Sequence, residues 1–176
     1  MPTAPYPRWR HYPLWRTPGS WVEEIVGVVL AAKQEISSLD AHLESNKVLT
    51  ALRPTLERIG FDVEKRGAKL PRPVLYGDEG KVTKLFNVDA YRSSDGTALE
   101  VEAGSAVYNN RAILDLIKFA LSMDVRQGAI LVPLKYETPK QSWTDPYPEA
   151  VKYFDSIFAN PERLRLPLEG LVLVGY

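Results

Sequence analysis

Cysteine is absent, which excludes disulfides, thiolate zinc sites and cysteine nucleophiles together. Histidine is nearly absent: His11 and His42 are the only two and stand far apart, which argues against a zinc hydrolase built on imidazole. Any bound metal must then be held mostly by oxygen, favouring Mg²⁺, Mn²⁺ or Ca²⁺. Net charge is missing too, since 22 Lys and Arg balance 22 Asp and Glu. That excludes a histone-like binder but leaves room for a local patch that grips phosphates. Long apolar runs are also lacking. Val22 to Ala32 is too short to span a bilayer and carries Glu23 and Glu24, and no apolar stretch follows Arg8, Arg10 and Arg16. No membrane partner is expected, and the cytoplasm is the expected location.

The 176 residues suffice for one domain with its own core. Residues 1–19 are rich in Pro, Trp, Tyr and Arg and contain no acid, so they read as an extended basic and aromatic arm. Trp9, Tyr12 and Trp15 either pin this arm to the domain or a twin subunit, or the arm tracks a nucleic-acid backbone. Residues 20–176 read as the single domain. Ser20 and Glu23 suggest a capping box opening one amphipathic helix to about Leu43. Val48 to Ile59 repeats the helical spacing, with Pro54 as a kink or a new turn and Gly60 as the stop. Phe61 and Val63 suggest a short strand, and Arg66 to Lys81 reads as a loop because of its prolines and glycines. A hairpin follows, from Leu85 through a turn at Ser93–Gly96 to Ala103. Then come a largely buried helix (Arg111–Met123), a buried strand (AILVPL), a helix (Asp145–Phe158) and a last strand (Leu168–Val174). The fold class expected is α/β, a mixed sheet with helices on both faces.

The hairpin carries an anomaly. Asp89 lies in its first strand, and Glu100 and Glu102 lie in its second, where carboxylates are costly to bury. Glu100 and Glu102 are two apart and share a face. A turn at Ser93–Gly96 pairs Arg92 with Thr97 and so sets Asp89 opposite Glu100. Three like charges there repel by several kcal/mol at low dielectric, roughly. Either one holds a proton or a divalent cation neutralises them. Alternatively the acids are structural and pair with Arg92, Arg111 or Lys84.

The segment NVDAYR…ALEVEAG resembles the core of the PD-(D/E)XK, restriction-endonuclease-like nucleases, and the resemblance covers roughly residues 46–135. It is similar above all to type II restriction enzymes with Glu or Gln in place of the motif lysine. The resemblance implies an αβββαβ core, a mixed central sheet flanked by helices, and a Mg²⁺-dependent deoxyribonuclease. Asp89, Glu100 and Glu102 are the implied catalytic carboxylates, and Mg²⁺ or Mn²⁺ would be held by them with the Val101 carbonyl. Glu102 stands where lysine is usual, so a cation has to come from elsewhere. Lys118 on the next helix is one candidate and Arg111 the other, although each also suits a surface or phosphate-contacting role. An acid from the first helical region, Glu35, Glu44 or Glu57, could join the metals.

The implied partner is double-stranded DNA, cut by a homodimer. Asn109, Asn110 and Arg111 could contact bases or phosphates, with Asn-Asn serving equally as a helix cap. Lys65, Arg66, Lys69 and Arg72 form a local basic stretch suited to the DNA backbone. Two alternatives remain: a catalytically inactive nuclease-fold DNA-binding or regulatory protein, and an unrelated interaction domain with salt-bridged hairpin acids.

Overall fold

Three runs, Thr97–Val101, Gln127–Val132 and Gly170–Gly175, are buried at every residue, as strands covered on both faces must be. They form the middle of a six-stranded sheet. The computed structural model describes residues 5–40, 43–66, 68–103, 110–138, 142–160 and 162–176. In chain order the elements are β1 (Arg8–Tyr12), α1 (Ser20–Ala31), α2 (Lys33–Ile36), α3 (Ser45–Arg58), β2 (Asp62–Val63), β3 (Leu70–Tyr76) and β4 (Val82–Val88). There follow β5 (Ala90–Arg92), β6 (Thr97–Val101), α4 (Arg111–Leu121), β7 (Gln127–Val132), β8 (Tyr136–Glu137), β9 (Trp143–Thr144), α5 (Pro146–Phe158) and β10 (Gly170–Gly175).

The main sheet runs β1-β10-β7-β6-β5-β2. Strands β6, β7 and β10 are parallel, while β1, β5 and β2 pair antiparallel at its two sides. Alternation along the strands splits the core in two. Leu99, Val101, Ala129, Leu131, Val172 and Val174 face Val22, Ile25, Leu52 and Leu56 of α1 and α3. Ala98, Ile130, Val132, Leu171 and Leu173 face Leu116 and Phe119 of α4 and Phe154 of α5. The protein is thus mixed α/β with a mixed sheet flanked by helices, and no helix among the described residues is long and apolar enough to cross a membrane.

Several local expectations change. Arg8–Tyr12 of the arm is a sheet strand, with Tyr12 buried and Trp9 and Trp15 exposed. Helix α1 stops at Ala31 instead of running to Leu43. The chain turns after Ile36 so that the buried Ser38 hydroxyl can donate to the Tyr176 carbonyl and accept from Leu134 N–H at 2.8 Å and Lys135 N–H at 3.3 Å. Ser20 does not cap α1; Gly19 holds that place, with no side-chain cap bond. Helix α3 continues past Pro54, which lies on its exposed side with Thr50, and no new helix opens there. It ends at Gly60, whose φ of +90° lets Gly60 N–H reach the Glu57 carbonyl and Phe61 N–H the Leu56 carbonyl.

Arg66–Lys81 is not a loop. Its middle is β3, paired antiparallel with β4 as a separate two-stranded ribbon. Pro71 and Pro73 are tolerated because β3 has only one neighbour, so the ladder bonds they cannot make fall on its open edge.

Candidate active site

The chain changes sheets at Asp89. Up to Val88 it pairs with β3, and from Ala90 it pairs with β6 and β2. The turn that follows uses Gly96 at φ +69°, where a Cβ would stand 2.9 Å from the Asp124 carbonyl. It sets Arg92 against Thr97 and Ala90 against Leu99. Asp89 is thereby carried to the end of β6, where its Oδ2 accepts the Val101 N–H at 2.8 Å. Its carbonyl accepts the Glu64 N–H at 2.7 Å.

Glu100 points to the α4 side of the sheet, as Ala98 does, and is 6% exposed. It meets α4 side on. Lys118 Nζ lies 2.7 Å from Glu100 Oε1 and 2.9 Å from Asp115 Oδ1. Asp115 and Lys118 are three apart on the helix, so they share a face. Glu102 follows the end of β6, fixed by its N–H to the Leu131 carbonyl at 2.8 Å and by the Tyr176 hydroxyl, which donates to its carbonyl at 2.8 Å. Four carboxylates, Asp89, Glu100, Glu102 and Asp115, therefore line one open cavity of about 400 Å³ with Lys118 and Arg111.

Burial and mutual repulsion leave Asp89, Glu100 and Glu102 reluctant to ionise. Desolvation raises Asp89, against the Val101 N–H. Desolvation followed by the charges of Asp89 and Asp115 holds Glu100 well above the carboxylate range, against the pull of Lys118. Glu102 is pushed up to about 8 by burial and then by Asp115. Burial lowers Lys118, but the charges of Glu100 and Asp115 outweigh it and its pKa rises. Asp115 Oδ2 is buried without a hydrogen-bond donor among the described residues. A proton on Glu102 would supply one, since two carboxyls bond to each other only when one is protonated.

The carboxylate oxygens suit a hard divalent cation, and four carboxyl groups against the two cations Lys118 and Arg111 leave room for further positive charge. As the side chains stand, no three acidic or histidine residues among those described are gathered as a ready-made ion cage.

The expected site residues divide into groups. Asp89, Glu100, Val101, Glu102, Arg111 and Lys118 converge on the cavity. Asn109 lies outside the described residues. Asn110 is the exposed residue before α4, with φ 55° and no side-chain cap bond. Lys65, Arg66 and Lys69 line a different groove. Arg72 joins neither: it pairs with Asp124 at 3.0 Å and stacks 4.1 Å over the Tyr91 ring. Glu35, Glu44 and Glu57 do not line the acid cavity; the first helical region brings Ser45 there instead. Arg92, a possible structural partner of the acids, is engaged elsewhere, with Glu24 at 2.6 Å and Asp95 at 2.7 Å. Asp115 was missed, and its one trace in the sequence is the D-x-x-K spacing with Lys118. No family model matches the chain, and no curated protein matches it in sequence.

Proposed function

We propose that the chain is a metal-dependent endonuclease that hydrolyses DNA phosphodiester bonds, a restriction-type enzyme of the PD-(D/E)XK kind using Mg²⁺ or Mn²⁺. The observation that carries this reading is the approach of Lys118 to Glu100, at 2.7 Å within an acid-lined cavity. It gives the site a cation from the following helix where Glu102 has taken the lysine's place. Element order supports the reading as well: with the β3–β4 ribbon inserted between β2 and β5, the elements α3, β2, β5, β6, α4 and β7 come in the order of the αβββαβ core, with β2, β5 and β6 an antiparallel set.

Asp89, Glu100, Glu102 and the Val101 carbonyl would hold the ion. A bound Mg²⁺ supplies charge neutralisation at the scissile phosphate and a more acidic water. Lys118 sets a positive charge beside the reacting phosphoryl group, where a fixed charge in a partly dry site stabilises the transition state. Asp115 holds the Lys118 ammonium in position. Glu102 binds a second ion or orients the attacking water, since a carboxylate cannot replace the positive charge of a lysine. Arg111, exposed at the mouth, reaches out to phosphate. Cutting both strands of a duplex symmetrically needs two such sites about a two-fold axis, so the working unit is a homodimer.

One observation favours a second reading, a nuclease-fold protein that binds DNA without cutting it: Glu100 is already compensated by Lys118. Calorimetric titration with Mn²⁺, followed by supercoiled-plasmid cleavage in the same buffer, separates the two. The nuclease reading expects Mn²⁺ binding that Glu100→Ala abolishes and nicking that needs the ion. Binding without nicking favours the second reading, and Mn²⁺ affinity unchanged in Glu100→Ala refutes the site.

A further inference from the structure

A second concavity, of about 500 Å³, adjoins the acid cavity and is lined by α3 and the segment joining β2 to β3. Its charge is opposite. Arg53, Lys65, Arg66 and Lys69 line it against a single acid, Glu64. Arg53 was not expected from sequence, being a lone cation within a helix. Its Nη2 donates to the Glu64 carbonyl at 2.9 Å, which fixes the guanidinium at the groove wall. Lys65 has a partner in Glu57 at 3.1 Å, but both are exposed, and such a pair exchanges readily for a stronger anion. Lys69 pairs with Glu64 and also feels Asp89 and Glu100, which raise its pKa after Glu64. Arg66 is exposed and has no partner among the described residues.

The two concavities meet. Glu64, in the basic groove, donates its N–H to the carbonyl of Asp89 in the acid cavity. Ser45 lines the acid cavity and Asn46, the next residue, lines the groove. Both begin α3, so the positive end of that 14-residue helix lies between them.

We propose that this groove is a built track for the sugar–phosphate backbone of duplex DNA, holding consecutive phosphodiesters on one side of the scissile position, with Arg53 and Arg66 as its principal contacts. This rests on the nuclease reading for the identity of the ligand. The acid cavity selects a cation and the groove an anion, and a phosphodiester chain lying across both satisfies the two. Its volume falls in the range of ~300–1,000 Å³ typical of ligand sites, room for more than one phosphate. Arg72, although close in sequence, takes no part, because its guanidinium is held by Asp124 and Tyr91 on another face.

Fluorescence anisotropy with a labelled duplex in EDTA, at several salt concentrations, tests this without cleavage. Each lost phosphate contact should lower the slope of log K against log [salt] by about 0.9. Arg66→Gln, which removes no internal contact, should lower it by about 0.9. Arg53→Gln with Arg66→Gln should lower it by about 1.8, which at 0.1 M salt is on the order of fifty-fold in affinity. Arg72→Gln should leave the slope alone. An unchanged slope in Arg66→Gln, an equal drop in Arg72→Gln, or no duplex binding at all overturns the groove. Slope changes as stated but no ion-dependent cleavage would uphold the groove and refute hydrolysis. Cleavage with an unchanged slope would do the reverse.

Discussion

Replacing Lys118 with Met keeps the length of the side chain and removes its charge, leaving two carboxylates without their cation. Glu100 and Asp115 side chains are 8% and 6% exposed, and each has a carboxylate oxygen within 2.9 Å of Lys118 Nζ. Removing one partner of a buried ion pair costs about 3–5 kcal/mol. The lysine is itself 24% exposed, so the lower end, about 3 kcal/mol, applies. Glu100 can escape this cost by taking up a proton. Without Lys118 its pKa, already held above the ordinary carboxylate value, rises further, so the folded protein holds a proton that the unfolded chain has released. Stability then falls as pH rises above the unfolded carboxylate range. The loss in Lys118→Met should therefore be about 3 kcal/mol at pH 8 and shrink to about 1 kcal/mol at pH 5. Urea unfolding followed by tryptophan fluorescence at both pH values measures it. Adding Glu100→Gln to Lys118→Met should recover much of the loss at pH 8, as expected for two residues in contact. A loss of equal size at both pH values, or under 1 kcal/mol at pH 8, would refute the claim that this lysine compensates buried charge.

Glu102, whose pKa burial and Asp115 raise to about 8, holds a proton in the folded protein that the unfolded chain releases near 4.5. The metal-free protein should therefore lose stability as pH climbs from 4.5 towards 8, and Glu102→Gln should melt higher at pH 8, by about 2 kcal/mol after screening at the open face; parallel melting curves for variant and parent would exclude it. Ser38→Ala removes the hydroxyl that serves the Tyr176 carbonyl and the Leu134 and Lys135 N–H groups. Thermal unfolding should show a loss of about 2–3 kcal/mol, and a change below 0.5 kcal/mol would mean those groups find other partners.

Legibility followed the range of the interactions. The convergence of Asp89 and Glu100 on one cavity could be read in part: a four-residue turn fixes hairpin register by counting and alternation places Glu100 with Ala98, but the pairing stops at Ala90 and Leu99, one residue short of setting Asp89 against Glu100. Helix α4 could be read from its spacing, but not its rotation over the sheet. Asp115 was therefore invisible as a site residue, since D-x-x-K on a helix reads equally well as a surface pair. RWRHY has a β10 partner more than 150 residues away, and no local pattern announces such pairing. The prolines of β3 argued against a strand because its edge position, which excuses them, is a tertiary fact. The basic stretch divides for the same reason. Lys65, Arg66, Lys69 and Arg72 are neighbours in sequence, yet the start of β3 directs Arg72 to a different face.

The placement of Asp89 argues that fold and site are not separable here. Strand β5 ends its pairing at Ala90 opposite Leu99, so the Val101 N–H has no residue of β5 across from it. A buried N–H without an acceptor is costly, and the Asp89 carboxylate supplies the acceptor. The same carboxylate is thus a ladder bond at the point where the strand changes sheets and a charge on the wall of the cavity. A structural explanation suffices for Asp89 alone, since one acceptor was needed there. It does not extend to Glu100, which is paired with Ile130 of β7 and whose neighbours on the α4 face, Ala98 and Ile130, are apolar. Leucine at that position would pack against α4 at no electrostatic cost. An acid, a second acid and a lysine brought together on a largely buried helix face have no packing explanation, and the proposed function supplies a chemical one.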